Sequence, residues 1–367
     1  MKAALLGVGT AVPALRISRS ESVDAAGTLC AETDDHAGLL ESLYRQAGVQ
    51  SRHIVFSREE FRRVVYDEGD FQSAFSSKGK GDLGPSTSER MTRYERESVP
   101  LALEASRAAV AEAGIDVGSI THVVTVSCTG MSAPGMDIAL IKGLGLQATV
   151  ERTHVGFMGC HGALNGLRVA RGLIAAEPNA RVLLCAVELC SLHYSYGWNP
   201  KKVVGNALFA DGAAALVLGA ESEKRGDGWR LAANGACLFP DSEKAMAWNV
   251  RDHGFDMILS SRVPGLIAEH LRPWLVRWLA GHGLRIEDVA SWAVHPGGPR
   301  VLTCVEEALG LPEGATEVSR SILESHGNMS STTVIFIIQE LMRRGAGLPC
   351  VSLGFGPGLA AEAALFA

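Results

Sequence analysis

The chain alternates short, continuous apolar runs with longer segments in which apolar positions recur at helical spacing. Residues 122–128 (HVVTVSC), 181–189 (RVLLCAVEL), 213–219 (AAALVLG), 290–296 (ASWAVHP) and 349–356 (PCVSLGFG) are runs of the first kind. Such runs have no polar face, so they predict strands covered on both sides, as in parallel or mixed sheets between helices. Residues 101–114 (LALEASRAAVAEAG) carry helical periodicity and close on Gly114, a residue suited to a helix C-cap. Residues 160–178 place Leu164, Leu167, Ala170, Leu173 and Ile174 on one stripe, with Pro178 as the stop. The pattern predicts an α/β fold.

Gly-punctuated apolar runs end near residue 219 and again at the C-terminus, which marks two halves, 1–220 and 229–367. The charged, turn-rich ESEKRGDGWR stands between them. The most polar stretch, 57–98, is expected to be a surface excursion, mobile at its middle around SSKGKGDLG.

Composition narrows the function classes. With 367 residues, 47% of them hydrophobic, the chain can bury a large core without staples. A net charge of −6 argues against a general nucleic-acid binder. The first residues, MKAALLGVGTAVP, are broken by Gly and Pro and predict a buried strand and a turn rather than a secretory segment. No uninterrupted apolar run of about eighteen residues predicts a membrane span. The expectation is a cytoplasmic protein. Eight scattered cysteines with no CxxC pair predict reduced, mostly buried thiols, not a disulfide framework or a zinc site.

Three strand-to-helix junctions each carry a reactive side chain. In VGFMGCHGALNGL, Cys160 opens a helix, where the positive end of the helix dipole favours a thiolate. In WAVHPGGPRVL, His295 ends a strand and Pro299 suits the first turn of the next helix. In SHGNMSSTTVIFIIQEL, Asn328 precedes an apolar helix that Ser330 can cap. A thiolate nucleophile, an imidazole partner and an amide donor together suit acyl transfer. Each also has a plainer role: a packed thiol, a strand cap, a helix cap. Residue pattern alone leaves a Cys/His/Asn enzyme as one candidate, a cysteine hydrolase among the options.

These segments resemble the type III polyketide synthases, the chalcone and stilbene synthase family, over nearly the whole chain. The matching blocks are SCTGMSAPGMD, GFMGCHGALNGLR, GNALFADGAAALVLG, PDSEKAM, HPGGP, HGNMSS and GFGPGL. The resemblance implies a thiolase-like fold, a duplicated αβαβα five-layer arrangement, and a homodimer. It puts Cys160, His295 and Asn328 on the catalytic positions and Phe209 on the gatekeeper between coenzyme A tunnel and reaction cavity. It implies acyl-CoA and malonyl-CoA as substrates, and no metal, flavin or nicotinamide cofactor. GVGTAVP is a lone GxG with the wrong continuation for a dinucleotide fingerprint.

By the same resemblance Cys128, Thr129, Cys190, Leu192, His193, Trp248, Phe255, Met257, Ser330, Gly356 and Pro357 line or border the substrate pocket. Arg52, Gly297 and Gly298 fall on the coenzyme A side, Arg52 as a phosphate clamp at the tunnel mouth. The pocket departs from the plant pattern: Trp248 stands where plant chalcone synthases carry Gly, and Ala133 where they carry a Met that crosses the dimer interface. The expectation is a small pyrone or a resorcinol- or phenol-type product. A long-chain alkylpyrone or alkylresorcinol synthase using fatty acyl-CoA is the alternative, permitted by the small Cys128 and Cys190. A β-ketoacyl-carrier-protein synthase III is the nearest rival in the superfamily, but HPGGP and GFGPGL favour the polyketide branch. A non-catalytic binding homologue is disfavoured by the presence of all three catalytic residue types.

Overall fold

The computed structural model describes residues 3–220 and 228–367. The expected boundary segment, ESEKRGDGWR, lies largely outside the described residues. The first half begins with β1 (Ala3–Ala11), β2 (Leu15–Ser18), α1 (Arg19–Cys30), α2 (Asp34–Gln46), β3 (Ser51–Ile54), α3 (Arg58–Tyr66) and α4 (Thr87–Ala113). It continues through β4 (His122–Ser127), α5 (Met136–Leu144), β5 (Glu151–Gly156), α6 (Gly162–Ala176), β6 (Val182–Leu189), α7 (Pro200–Leu208) and β7 (Asp211–Ala220). The second half starts with β8 (Arg230–Leu238), β9 (Met246–Arg251), β10 (Gly254–Leu259), α8 (Val263–Ala280) and β11 (Ser291–Val294). It closes with α9 (Pro299–Leu309), α10 (Glu317–His326), α11 (Thr333–Arg343), β12 (Cys350–Gly356) and β13 (Ala360–Phe366).

Strand order discloses a duplication that the sequence shows only faintly. Nine strands join in the order β11-β12-β13-β8-β1-β7-β6-β4-β5. Read outward from the β1–β8 junction, β1, β7, β6 and β4 on one side match β8, β13, β12 and β11 on the other. The directions match too. In each half the first two pairings are antiparallel and the last is parallel. The halves are sewn together where Ala3 and Ala4 pair with Leu231 and Arg230.

The buried-on-both-faces runs explain the layering. Along β6, Val182, Leu184 and Ala186 enter a central core, while Leu183, Cys185 and Val187 enter an outer one. That central core also takes Leu164, Leu167, Ala170 and Ile174 from α6 and Val334, Ile335 and Ile338 from α11. It takes Cys350 of β12 and Ala364 of β13 from the other half. The helices α6 and α11 therefore lie between the two half-sheets. Helix α4 covers one outer face, with Leu101, Ala102, Ala105 and Ala109. Helices α8 and α9 cover the other, with Leu271, Leu275, Leu302 and Val305. This is a five-layer αβαβα arrangement. At full burial each such aliphatic side chain contributes about 1.5–3 kcal/mol against its unfolded exposure.

One expectation fails in part. The polar stretch 57–98 is not a continuous excursion: α3 occupies its start and α4 begins at Thr87. Ser86 and Glu89 form a reciprocal capping box that starts α4, and Pro100 inside the helix masks its length in the sequence. What remains irregular, 67–86, is anchored where Phe75 is buried and its carbonyl accepts from the Tyr196 hydroxyl.

Candidate active site

Cys160 sits in a short 3₁₀ turn, Gly159–His161, that runs directly into α6. Gly159 adopts φ +76°, and a Cβ there would lie 2.2 Å from Pro357. The terminal GFGPGL segment therefore serves as the back wall of the Cys160 turn. Gly356 has the same function one residue earlier, since a Cβ would come within 2.5 Å of the His161 ring. On the other side Phe157 (φ +57°) and Ser330 (φ +49°) hold left-handed backbone without being glycine. Such strain is tolerated where the surroundings over-determine the chain, commonly at functional sites.

Asn328 is brought to the same place by backbone pairing. Its N–H donates to the Leu208 carbonyl and its carbonyl accepts from Ala210, each at 2.9 Å, on either side of Phe209. The Ser330 N–H donates to Asn328 Oδ1 at 2.8 Å, which leaves the amide nitrogen to face the thiol. Both the Asn328 and the Ser330 side chains lie within hydrogen-bonding reach of the Cys160 thiol. His295 follows β11; its backbone N–H donates to Leu353 of β12 at 2.7 Å. The ring is buried, and neither ring nitrogen has a hydrogen-bond partner among the described residues. A buried polar pair without partners costs free energy unless another species uses it.

Electrostatics correct one expectation. Burial pushes the Cys160 thiol up to about 12, with the Glu188 carboxylate adding to the effect and bonds to Ser330 and Asn328 opposing it. Burial, and then His161, push the His295 imidazole down to about 3. The helix start does not by itself yield a thiolate; desolvation outweighs it. Burial thus disfavours the charged form of each group.

Pocket residues divide into those that line a cavity and those that support it. Cys128, Thr129, Cys160, Cys190, Phe209, Trp248, Met257, Ser330 and Pro357 line one small cavity of about 360 Å³, counting its open mouth, joined by Gly159 and Met246. Trp248 is fixed as its wall, because Nε1 donates to the Cys128 carbonyl at 2.7 Å. His193 donates from Nε2 to the Thr129 carbonyl (2.7 Å), accepts from the Phe255 N–H at Nδ1 (3.2 Å), and stacks on the Phe255 ring at 4.0 Å. Burial pushes it down to about 3, so it is a neutral wall group. Leu192 is fully buried in the outer core; its contribution is a carbonyl that accepts from Arg90. Gly297 and Gly298 form the turn into α9, against Val301 and Leu208.

Arg52 is not a phosphate clamp at the surface. It is 3% exposed, and its guanidinium donates to the carbonyls of Asn206 and Phe209 at 2.8 Å and of Ala207 at 2.5 Å. Those are terminal carbonyls of α7, which a cation satisfies well. Arg52 thus fixes Phe209, and through the Phe209–Asn328 bridge, the Asn328 backbone.

Sequence reasoning missed Glu188. Its carboxylate, fully buried at the end of β6, accepts from the Cys128 N–H (3.0 and 3.2 Å), the Thr129 hydroxyl (2.7 Å) and the Ser331 hydroxyl (2.5 Å). One carboxylate so ties three segments of the pocket floor. The signal was present: a lone charge within the apolar run RVLLCAVEL.

A second, larger cavity of about 960 Å³, counting its open mouth, adjoins the first and shares Cys190, Phe209, Trp248 and Met257 with it. Its far walls are apolar: Ile17, Ile54, Phe61, Val64, Val65 and Phe75.

Comparison with known proteins agrees with this geometry. The family model for chalcone and stilbene synthases, N-terminal domain, matches residues 1–222, and that for the C-terminal domain matches 230–367. The chain is 34% identical over 360 residues to 1,3,6,8-tetrahydroxynaphthalene synthase of Streptomyces peucetius subsp. caesius, covering 97% of this chain and 90% of that one. It is 33% identical over 285 residues to alpha-pyrone synthesis polyketide synthase-like Pks18 of Mycobacterium tuberculosis, covering 76% and 72%. The crystal structure of PKS-I from the brown alga Ectocarpus siliculosus superposes with a TM-score of 0.89 at 30% identity, covering 100% and 98%.

Proposed function

The chain belongs to the chalcone and stilbene synthase family of type III polyketide synthases, which are acyltransferases, and on that premise we propose how its own residues divide the work. The Cys160 thiolate attacks the carbonyl of a starter acyl-CoA, and the coenzyme A thiolate leaves and takes up a proton. Malonyl-CoA then loses CO₂. The electron pair of the broken bond becomes an enolate, held by donors on His295 and Asn328. Its carbon attacks the acyl thioester, and Cys160 departs as thiolate from a β-ketoacyl-CoA two carbons longer. The lengthened chain returns to Cys160 until cyclisation or hydrolysis releases it. Aiming fixed donors at the developing oxyanion favours the transition state over the bound thioester.

Cavity shape guides the choice of substrate. The small chamber beside Cys160 is bounded by the fixed indole of Trp248, which supports few extensions and a compact ring. The larger apolar chamber beyond Phe209 supports a starter with an apolar acyl chain. The observation that carries this reading is the shared wall of Cys190, Phe209, Trp248 and Met257 between the two chambers. The product we favour is therefore a small pyrone- or resorcinol-type ring bearing the starter's apolar chain. Incubation with labelled malonyl-CoA and acyl-CoAs of graded length tests it by mass spectrometry. Efficient extension only of short or aromatic starters would overturn the chain assignment.

We further propose that the two halves, 1–220 and 229–367, fold as one unit in a cytoplasmic homodimer. The supporting observation is that β5 lies at the sheet margin with residues 151–154 exposed. Such an edge invites pairing with a second copy. No described helix is long and apolar enough to cross a membrane. Mass measured under native conditions tests the dimer, and a monomer at micromolar concentration would contradict it.

A further inference from the structure

The larger chamber is not closed everywhere by apolar walls. His193, Ser195, Tyr196, Lys202, Phe255 and Asp256 line it and also line a neighbouring hollow of about 670 Å³, counting its open mouth. The hollow lies at the surface. Arg251, Asp252 and His253, at the tip of the β9–β10 hairpin, line it and are exposed. So does Leu83, an apolar side chain left 56% exposed beside these charges.

Most of the shared wall is pinned. His193 is held between the Thr129 carbonyl and the Phe255 N–H, and its ring stacks on Phe255. The Tyr196 hydroxyl donates to the Phe75 carbonyl, and the Arg90 guanidinium lies over its ring. The Ser195 N–H donates to Asn206 Oδ1 at 3.0 Å, and its carbonyl accepts from Asn206 Nδ2 at 2.8 Å. Lys202 and Asp256 differ. They meet at 2.7 Å as an ion pair that joins α7 to β10, with side chains 34% and 30% exposed. Arg251 Nε lies 3.7 Å from the other Asp256 oxygen. A pair this open to water is weak and is screened by salt. A lysine stem can also carry its ammonium outward into solvent.

Taking the larger chamber as the acyl-chain site, on which this inference rests, we propose that Lys202 and Asp256 form an ionic gate for the tail of a long starter. A chain short enough for the apolar walls leaves the pair closed. A longer one parts it by side-chain rotation, with no movement of the backbone, and lays its end in the hollow. There it covers Leu83, apolar surface otherwise left to water. Long starters therefore bear the cost of parting the pair and short ones do not, which makes the pair a determinant of chain-length preference.

The test loads the full-length protein with acyl-CoAs that carry a photoreactive diazirine at the chain end, without malonyl-CoA, and locates the cross-link by mass spectrometry. An octanoyl probe should label the chamber wall around residues 61–65. An octadecanoyl probe should label residue 83 or the segment 251–256. With ordinary starters, the ratio of kcat/KM for octadecanoyl-CoA to that for octanoyl-CoA should rise about threefold in Asp256→Asn, which keeps the size of the side chain and removes its charge. In wild type that ratio should rise with added KCl, and in the variant it should not. Octadecanoyl labelling confined to the chamber wall, or a ratio unchanged in the variant, would overturn the gate and leave the acyl chamber standing. Labelling of neither place by either probe would remove the chamber assignment and the gate with it.

Discussion

Replacing His295 with Gln should expose how much of the reactivity of Cys160 is borrowed. Burial pushes the thiol up to about 12, so without a countercharge only about one molecule in 10⁵ would be thiolate at pH 7. An imidazolium within about 4 Å stabilises a thiolate by roughly 4 kcal/mol at an effective dielectric of about 20. That is about three pKa units, against the nine that separate a thiol at about 12 from an imidazole at about 3, so at rest the charged pair stays scarcer than the lone thiolate. Alkylation of Cys160 at pH 7 should therefore change less than about twofold in His295→Gln, while condensation, which uses the imidazole as an oxyanion donor, should fall about 10²-fold or more. The assay is the rate of iodoacetamide modification from about pH 6 to about pH 10, with the Cys160 peptide followed by mass spectrometry. In both proteins the raised thiol governs, so reactivity should be lost as pH falls, tenfold per unit, from the alkaline side downward. A wild-type rate that is flat around neutrality and drops about 10³-fold in a folded His295→Gln protein would refute the reasoning.

Other consequences are equally specific. Trp248→Gly removes the indole anchored to the Cys128 carbonyl and should lengthen the product by at least one malonyl-derived unit, read by mass spectrometry; the large-to-small change should also cost about 3 kcal/mol of stability. Val64→Trp should fill the larger chamber and raise KM for long-chain acyl-CoA at least about tenfold while sparing a short starter, because loss of about 1.4 kcal/mol of binding is tenfold. Arg52→Met leaves three α7 carbonyls without their donor and should lower stability by about 3 kcal/mol in urea unfolding. It should lower kcat through the displaced Phe209 and Asn328 more than it raises KM for coenzyme A thioesters; a pure KM effect would restore the phosphate-clamp assignment.

Much of the fold was legible because its strands are buried on both faces. An apolar run such as RVLLCAVEL can satisfy two cores at once, and that pattern survives in the sequence without knowledge of partners. The α4 helix was only half legible, since Pro100 interrupts a periodicity that tertiary contacts sustain. The duplication was fainter still, because it lives in strand order and direction, which local sequence does not encode. At the site, the turns around Cys160, His295 and Asn328 were legible as strand-to-helix junctions, while a shared role for the three rested on the family resemblance alone. Arg52 was misplaced because an arginine that caps a helix and one that grips a phosphate are the same letter. Glu188 was overlooked as part of a strand, though a single carboxylate in an apolar run asks for buried donors, and it has them.

The central claim is that Cys160 carries the growing acyl chain and that malonyl-CoA supplies each extension. The most direct measurement is the mass of the Cys160-containing peptide after brief exposure to a long-chain acyl-CoA, followed by a chase with labelled malonyl-CoA. The account predicts an acyl adduct on Cys160 that disappears in the chase as labelled, extended product and CO₂ emerge, with neither event in Cys160→Ala. An adduct on another residue, or extended product from Cys160→Ala, would contradict it.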